Sequence, residues 1–230
     1  MGRRLTAFAV IAGVSVAWAS CGSDATPVAT GGTGGGVVDP HEKPVCPDPG
    51  APLNPAPAAR ADTAGALSAD GSLMLVFGGD VATVVCGDVT ARTHVGDTWL
   101  LDTACGDWRE VMPAAAPSPR ARHSIAQDHV SDRAILFGGR FRPDGASGNY
   151  THYNDTWSFD FQTREWTELV TNGTPPAPRS DGAAVVAGNR LIVFGGNTSP
   201  SGLSFSPLAD THVLDLETLT WTELATTGAP

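Results

Sequence analysis

Leu73-Met74-Leu75-Val76-Phe77-Gly78-Gly79 is a hydrophobic run closed by two glycines, and it returns twice, as Ala134-Ile135-Leu136-Phe137-Gly138-Gly139 and as Leu191-Ile192-Val193-Phe194-Gly195-Gly196. A second block, Asp97-Thr98-Trp99-Leu100-Leu101-Asp102, returns as Asp155-Thr156-Trp157-Ser158-Phe159-Asp160 and Asp210-Thr211-His212-Val213-Leu214-Asp215. Trp108, Trp166 and Trp221 each stand eleven residues after the first Asp of that block. The phenylalanines are 60 and 57 residues apart and the tryptophans 58 and 55, so a fixed period keeps its internal spacing. That is the mark of a repeat architecture.

Within one unit every signal is of strand type. A short apolar stretch such as Gly182-Ala183-Ala184-Val185-Val186 precedes a tight turn, Ala69-Asp70-Gly71-Ser72 in the first unit and Ala187-Gly188-Asn189-Arg190 in the third, which predicts a hairpin. The second strand is nearly continuously hydrophobic, as when both faces are covered. Paired glycines at its end suit a chain that must leave the sheet at positive φ or pass close to a neighbouring backbone. The Asp block starts a third strand, and the Trp sits on a fourth. Each unit is therefore expected to be a four-stranded antiparallel meander.

Composition agrees and narrows the partners. Charged residues are 17% of 230, while Gly 27 and Pro 18 make about a fifth of the chain, a turn-rich rather than helical balance. The formal charge of −10 would repel phosphate backbones, which excludes nucleic acid as a natural partner.

The double glycine, the Asp-Thr-Trp block and the spaced Trp resemble kelch repeats over residues 60–230, as three units of about 60–118, 119–177 and 178–230. The resemblance implies an all-β fold, a kelch-type β-propeller whose three four-stranded antiparallel blades form an open or incomplete ring. The final residues, Ala225 to Pro230, parallel the link from Val170 to Pro175 that opens the next unit. Either a longer propeller or a half-ring that associates with a second copy through its open blade edges is expected.

Features that recur in every unit are read as scaffold. Arg60, Arg120 and Arg179 stand 17, 17 and 15 residues before their Phe, which points to a repeated ion pair or backbone contact. Glu110, Glu168 and Glu223, two after each Trp, are read the same way, and the Trp set as packing between blades. What breaks register is read as function. Between double glycine and Asp lie 17, 15 and 13 residues, long irregular loops of the kind that carry binding sites on rigid folds. The middle loop holds both tyrosines of the protein, and the candidate ligand-binding residues are Arg140, Arg142, Asp144, Tyr150, His152 and Tyr153, with His94 on the loop of the first unit. Tyr150 and Tyr153 are equally readable as anchors of that loop.

His94 and His152 each stand three before their Asp, but two imidazoles without a third ligand do not make a metal site, and no metal or other cofactor is expected. The sequence carries no nucleophile elbow, zincin helix or phosphate loop. The expected function is a non-catalytic binding module for a protein or a glycan. The alternative implied by the resemblance is a fragment of a secreted galactose oxidase-like or sialate epimerase-like enzyme, although no Cys lies near either tyrosine and no epimerase acid-base pair maps onto specific positions.

The first 20 residues combine Arg3 and Arg4, an apolar run from Leu5 to about Ala19 and small residues, the pattern of a secretory signal. Ala17-Trp18-Ala19 fits ordinary cleavage, while Ala19-Ser20-Cys21 resembles a bacterial lipobox with Cys21 as lipid anchor. An uncleaved anchor is the third reading, and all three place the remainder outside the cytoplasm; the expectation adopted is a chain in the bacterial envelope or secreted, with the membrane reached only through lipid. Residues 21–59, rich in Gly and then Pro, read as a disordered tether. An oxidising compartment favours one disulfide among Cys46, Cys86 and Cys105.

Overall fold

A computed structural model describes residues 54–82, 92–143, 148–201 and 204–225, all within the unit Val37–Pro230. The signal and lipid-anchor positions, Cys46, Cys86 and Asp144 lie outside these residues.

The first blade is β1 (Ala64–Leu67), β2 (Leu73–Asp80), β3 (His94–Asp102) and β4 (Asp107–Val111), paired in that order. The second is β5 (Ser124–Asp128), β6 (Arg133–Phe137), β9 (Thr156–Asp160) and β10 (Trp166–Glu168), with a separate ribbon of β7 (Arg140–Phe141) and β8 (Thr151–His152) built from its long loop. The third is β12 (Ala183–Ala187), β13 (Arg190–Asn197), β14 (Pro207–Asp215) and β15 (Thr220–Leu224), and it gains a fifth strand, β11 (Asn172–Gly173), parallel to β15. All other pairings are antiparallel. The inner strands β1 and β12 both lie against β5, so the three blades stand side by side as an open ring.

Two apolar clusters fill the spaces between blades. Trp166 of the second blade packs on Phe77 of the first, with ring centroids 5.3 Å apart, and donates its Nε1–H to Thr98 Oγ1 at 3.0 Å. Trp221 of the third blade meets Phe137 of the second at 5.4 Å. The expected packing of Trp between blades is thus observed for Trp166 and Trp221, whereas Trp108 of the first blade is half-buried and belongs to neither cluster. The equivalent Phe194 of the third blade is 41% exposed, and β13 alternates between buried and open positions rather than being covered on both faces. The glutamates after each Trp are exposed on the outer strands and are not part of the packed scaffold.

The double glycine is a bulge. In β2 and β13 the register shifts between Phe77 and Gly79 and between Phe194 and Gly196, and all six glycines have positive φ. A Cβ on Gly78 would meet the Arg120 carbonyl oxygen at 2.6 Å, which fixes the residue type through close approach of the next blade's backbone.

Each link crosses the outer edge of the blade that it enters. Asn54 donates its backbone N–H to Asp107 Oδ1 at 3.0 Å and its side-chain amide to Oδ2 at 2.8 Å; Ala114 N–H reaches Glu165 Oε2 at 3.0 Å; Asn172 N–H reaches Leu219 O at 2.7 Å. The last of these is a true edge pairing, β11 running parallel to β15 and covering an edge that would otherwise template further pairing.

Candidate functional site

The repeated arginines account for the scaffold beneath the loops. Arg120 grips Asp155 through both nitrogens of its fork, at 2.6 and 2.8 Å, and donates to Gly138 O at 3.0 Å. Arg60 does the same with Asp97 and Gly78 O, and Arg179 with Asp210 and Gly195 O. Bidentate pairing of this kind is strong and geometrically specific. In each case the residue after the Asp-Thr pair completes the cluster: Trp99 and Trp157 donate their ring N–H to the carboxylate at 2.6 and 2.8 Å, and His212 Nε2 lies 3.0 Å from Asp210. The hydrogen bond from Arg179 holds Asp210 down at about 2. At Asp97 burial works to raise the carboxyl, but Arg60 and Trp99 carry it below its ordinary value. The expectation of a repeated ion pair and backbone contact is met in all three blades.

The candidate ligand residues divide into two groups. Tyr153 belongs to the scaffold: Arg120 stacks on its ring at 4.1 Å, and its carbonyl accepts the Arg179 N–H at 3.0 Å. His94, Arg140, Arg142, Tyr150 and His152 come together above it. The guanidinium groups of Arg140 and Arg142 both lie over the Tyr150 ring, 4.0 and 4.4 Å from its centroid. Its backbone N–H reaches Pro200 O on the third blade's loop at 2.7 Å. His94 Nδ1, on the first blade, lies 3.2 Å from the N–H and 3.1 Å from the carbonyl of Arg142. One loop is therefore held by both neighbouring blades.

Arg140, Arg142, Tyr150 and His94 are all buried, and His152 and Tyr153 are half-buried, so the loop is packed against the scaffold rather than raised from it. Burial lowers the pKa of His94 and of His152, which keeps both imidazoles neutral near pH 7. Among the described residues no three His, Cys, Asp or Glu side chains cluster in a way that could hold a metal ion.

Three further residues belong to this end of the blades. Asp62, Arg122 and Asp181 occupy the same position in successive units, two after the scaffold arginine, each at positive φ. Arg122 N–H donates to Asp62 O at 2.8 Å and Asp181 N–H to Arg122 O at 2.9 Å, a backbone relay from blade to blade. The Arg122 side chain binds Asp62 at 2.8 Å and Asp181 at 3.2 Å. The sequence signal was available: the acid–base–acid alternation at one repeat position is a departure from register, although it falls outside the long loops. Phe205, 76% exposed in the loop of the third blade, is the aromatic side chain most open at this end among the described residues.

The comparisons with known proteins agree with this architecture. The family described as the KLHDC2/KLHL20/DRC7 Kelch-repeats domain matches residues 51–230. The dynein alpha chain of the flagellar outer arm of Chlamydomonas reinhardtii is 38% identical over 104 residues, 44% of this chain and 2% of its own length. Human host cell factor 2 is 32% identical over 50% of this chain and 15% of its own. Kelch domain-containing protein 3 of Bos taurus is 35% identical over 52% of this chain and 30% of its own. The chain thus spans less than a third of the length of each of these relatives. The solved structure of YjhT superposes with a TM-score of 0.56 at 19% identity, covering 74% of this chain and 53% of that one, a likeness of fold. With the repeated Arg–Asp clusters, the glycine bulges and the Trp–Phe blade contacts, these matches show that the chain belongs to the kelch-repeat family and folds as three kelch blades.

Proposed function

We propose that this is a non-catalytic kelch module that binds a protein or glycan ligand through the loops between the second and third strands of its blades. One observation carries the reading. The arginines, aspartates and double glycines common to the three units are consumed by the scaffold, whereas the loops differ in length and chemistry and join across blades through His94, Tyr150 and Pro200. A rigid frame with variable loops is how binding surfaces are commonly built.

The test uses Phe205, which is open to solvent and free of the packed loop. Affinity capture from an extracellular protein fraction and a glycan array are run with the wild type and Phe205→Ala. A ligand kept by the wild type and weakened at least tenfold by the substitution supports the reading; a ligand indifferent to Phe205 and to the loop arginines contradicts it. Self-association is part of the same proposal. Phe194 is exposed where Phe77 and Phe137 each receive a Trp, so it offers a place for a Trp from a second copy. A dimer in light scattering that is lost in Phe194→Asp is the expected result. We also propose lipid anchoring at Cys21 outside the cytoplasm; Cys21→Ala should release the protein from membranes, and unchanged membrane association would contradict it.

A further inference from the structure

Immediately after the double glycine the three units carry Asp80, Arg140 and Asn197. Asp80 Oδ1 accepts the N–H of Ala82 at 3.0 Å and of Thr93 at 2.9 Å. Asn197 Oδ1 accepts the N–H of Ser199 at 3.0 Å and of Ser206 at 2.8 Å. In both blades one side-chain oxygen ties together the two ends of its own loop. A guanidinium has only donors and cannot do this.

Arg140 is 4% exposed, and among the described residues its guanidinium has no hydrogen-bond acceptor, its Nε lying wholly buried. Arg142, 7% exposed, also has its Nε buried without an acceptor and spends one nitrogen on Gly148 O at 3.3 Å. His152 Nε2 beside them is buried and unpartnered. The neighbouring carboxylates, Asp62 and Asp181, are taken by the fork of Arg122. Contact with the Tyr150 ring, at 4.0 and 4.4 Å, orders both guanidinium groups without using any of their N–H donors. Buried charged donors without acceptors are costly, and the cost falls when an anion completes them.

We propose that Arg140, supported by Arg142 and His152, is the receptor for a carboxylate group on the ligand. A planar, two-oxygen acceptor matches the in-plane donors of a stacked guanidinium better than a point charge does. This rests on the binding reading above and names the chemistry of what is bound. The carboxylate belongs either to an acidic peptide side chain or to an acidic sugar.

The experiment follows the arginine Nε–H resonances of the wild-type protein carrying 15N-arginine, during titration with sodium glutarate, sodium glucuronate or, at matched ionic strength, sodium chloride. Arg140→Lys and Arg142→Lys assign the two signals. Saturable movement of both signals with a carboxylate and not with chloride is expected, and the preferred salt separates the peptide from the sugar source. Signals that stay still, or that move equally with chloride, overturn the proposal. Arg140→Asn places the third blade's residue in the second and should weaken the response at least tenfold; a wild-type response in that variant also overturns it. Since the titration is read on the wild type, it stands even if the variant fails to fold. Capture of a ligand without movement of these signals would sink the carboxylate site and leave the binding reading intact.

Discussion

Arg120 and Arg140 lie twenty residues apart in the same blade, both almost wholly buried and both stacked on a tyrosine, at 4.1 and 4.0 Å. Arg120 is saturated: Asp155, Gly138 O, Ser118 O and Ser118 Oγ use its donors. Arg140 has none of these. The first has a counterpart in every blade, and the second stands where the other blades have Asp80 and Asn197. The contrast teaches that burial alone does not identify scaffold; completion of the hydrogen-bond set does, and a repeat supplies its own control for deciding which arginine is which.

The largest effect expected on the scaffold side is at the blade interface. Trp166→Ala removes a side chain shared by Phe77, Phe159 and Thr98 and should cost about 3 to 5 kcal/mol in chemical denaturation. A cost below about 1 kcal/mol would mean that the blades do not depend on this contact.

Cys105, in the turn between β3 and β4, is disulfide-bonded, and its partner lies outside the described residues. Asn54, eight residues after Cys46, is fixed to Asp107, two residues after Cys105, whereas the loop containing Cys86 leaves from the opposite end of β3. Non-reducing peptide mapping is expected to return Cys46 joined to Cys105, and removing the bond should cost about 2 to 4 kcal/mol. A Cys86–Cys105 peptide would refute that pairing.

His123 lies between the first two blades, against the Phe77 ring, with neither ring nitrogen hydrogen-bonded. Burial, reinforced by Arg120, pushes it from 6.5 down to about 3. The folded state therefore binds the proton less readily than the unfolded chain. Its contribution is complete above pH 6.5 and is lost at up to about 1.4 kcal/mol per pH unit as the pH falls toward 3. His94 and His152, also lowered by burial, act in the same direction. His123→Phe should flatten the acid side of the stability profile by about one proton; an unchanged slope would show that His123 is already charged in the fold. The smallest effect belongs to Phe205→Ala, which should leave the denaturation midpoint within about 0.5 kcal/mol while removing binding.

The scaffold was legible because it is written three times. The double glycines, the repeated arginines and two of the three tryptophans could be assigned to the scaffold from spacing alone, since each recurrence at one register position reports one physical requirement; that the arginines grip the aspartates of the following block is visible only in the fold. The candidate site was legible only as a region. Tyr153 sits in the same loop as Tyr150 yet serves the Arg120 cluster, and that division depends on which ring lies beneath which guanidinium. Asp62, Arg122 and Asp181 are separated by about sixty residues and meet only because the blades bring their inner strands together. The exposed glutamates show the opposite failure, a regular recurrence on the outer strands that serves no packed contact.

The most direct test of the distinction between the two arginines is urea denaturation of Arg120→Met and Arg140→Met side by side, since Met keeps an apolar stem in both places. Arg120→Met should cost about 3 kcal/mol or more, because it leaves Asp155 without its buried partner, while Arg140→Met should change stability by less than about 1 kcal/mol. Equal losses in the two variants would make Arg140 a scaffold residue and contradict the account.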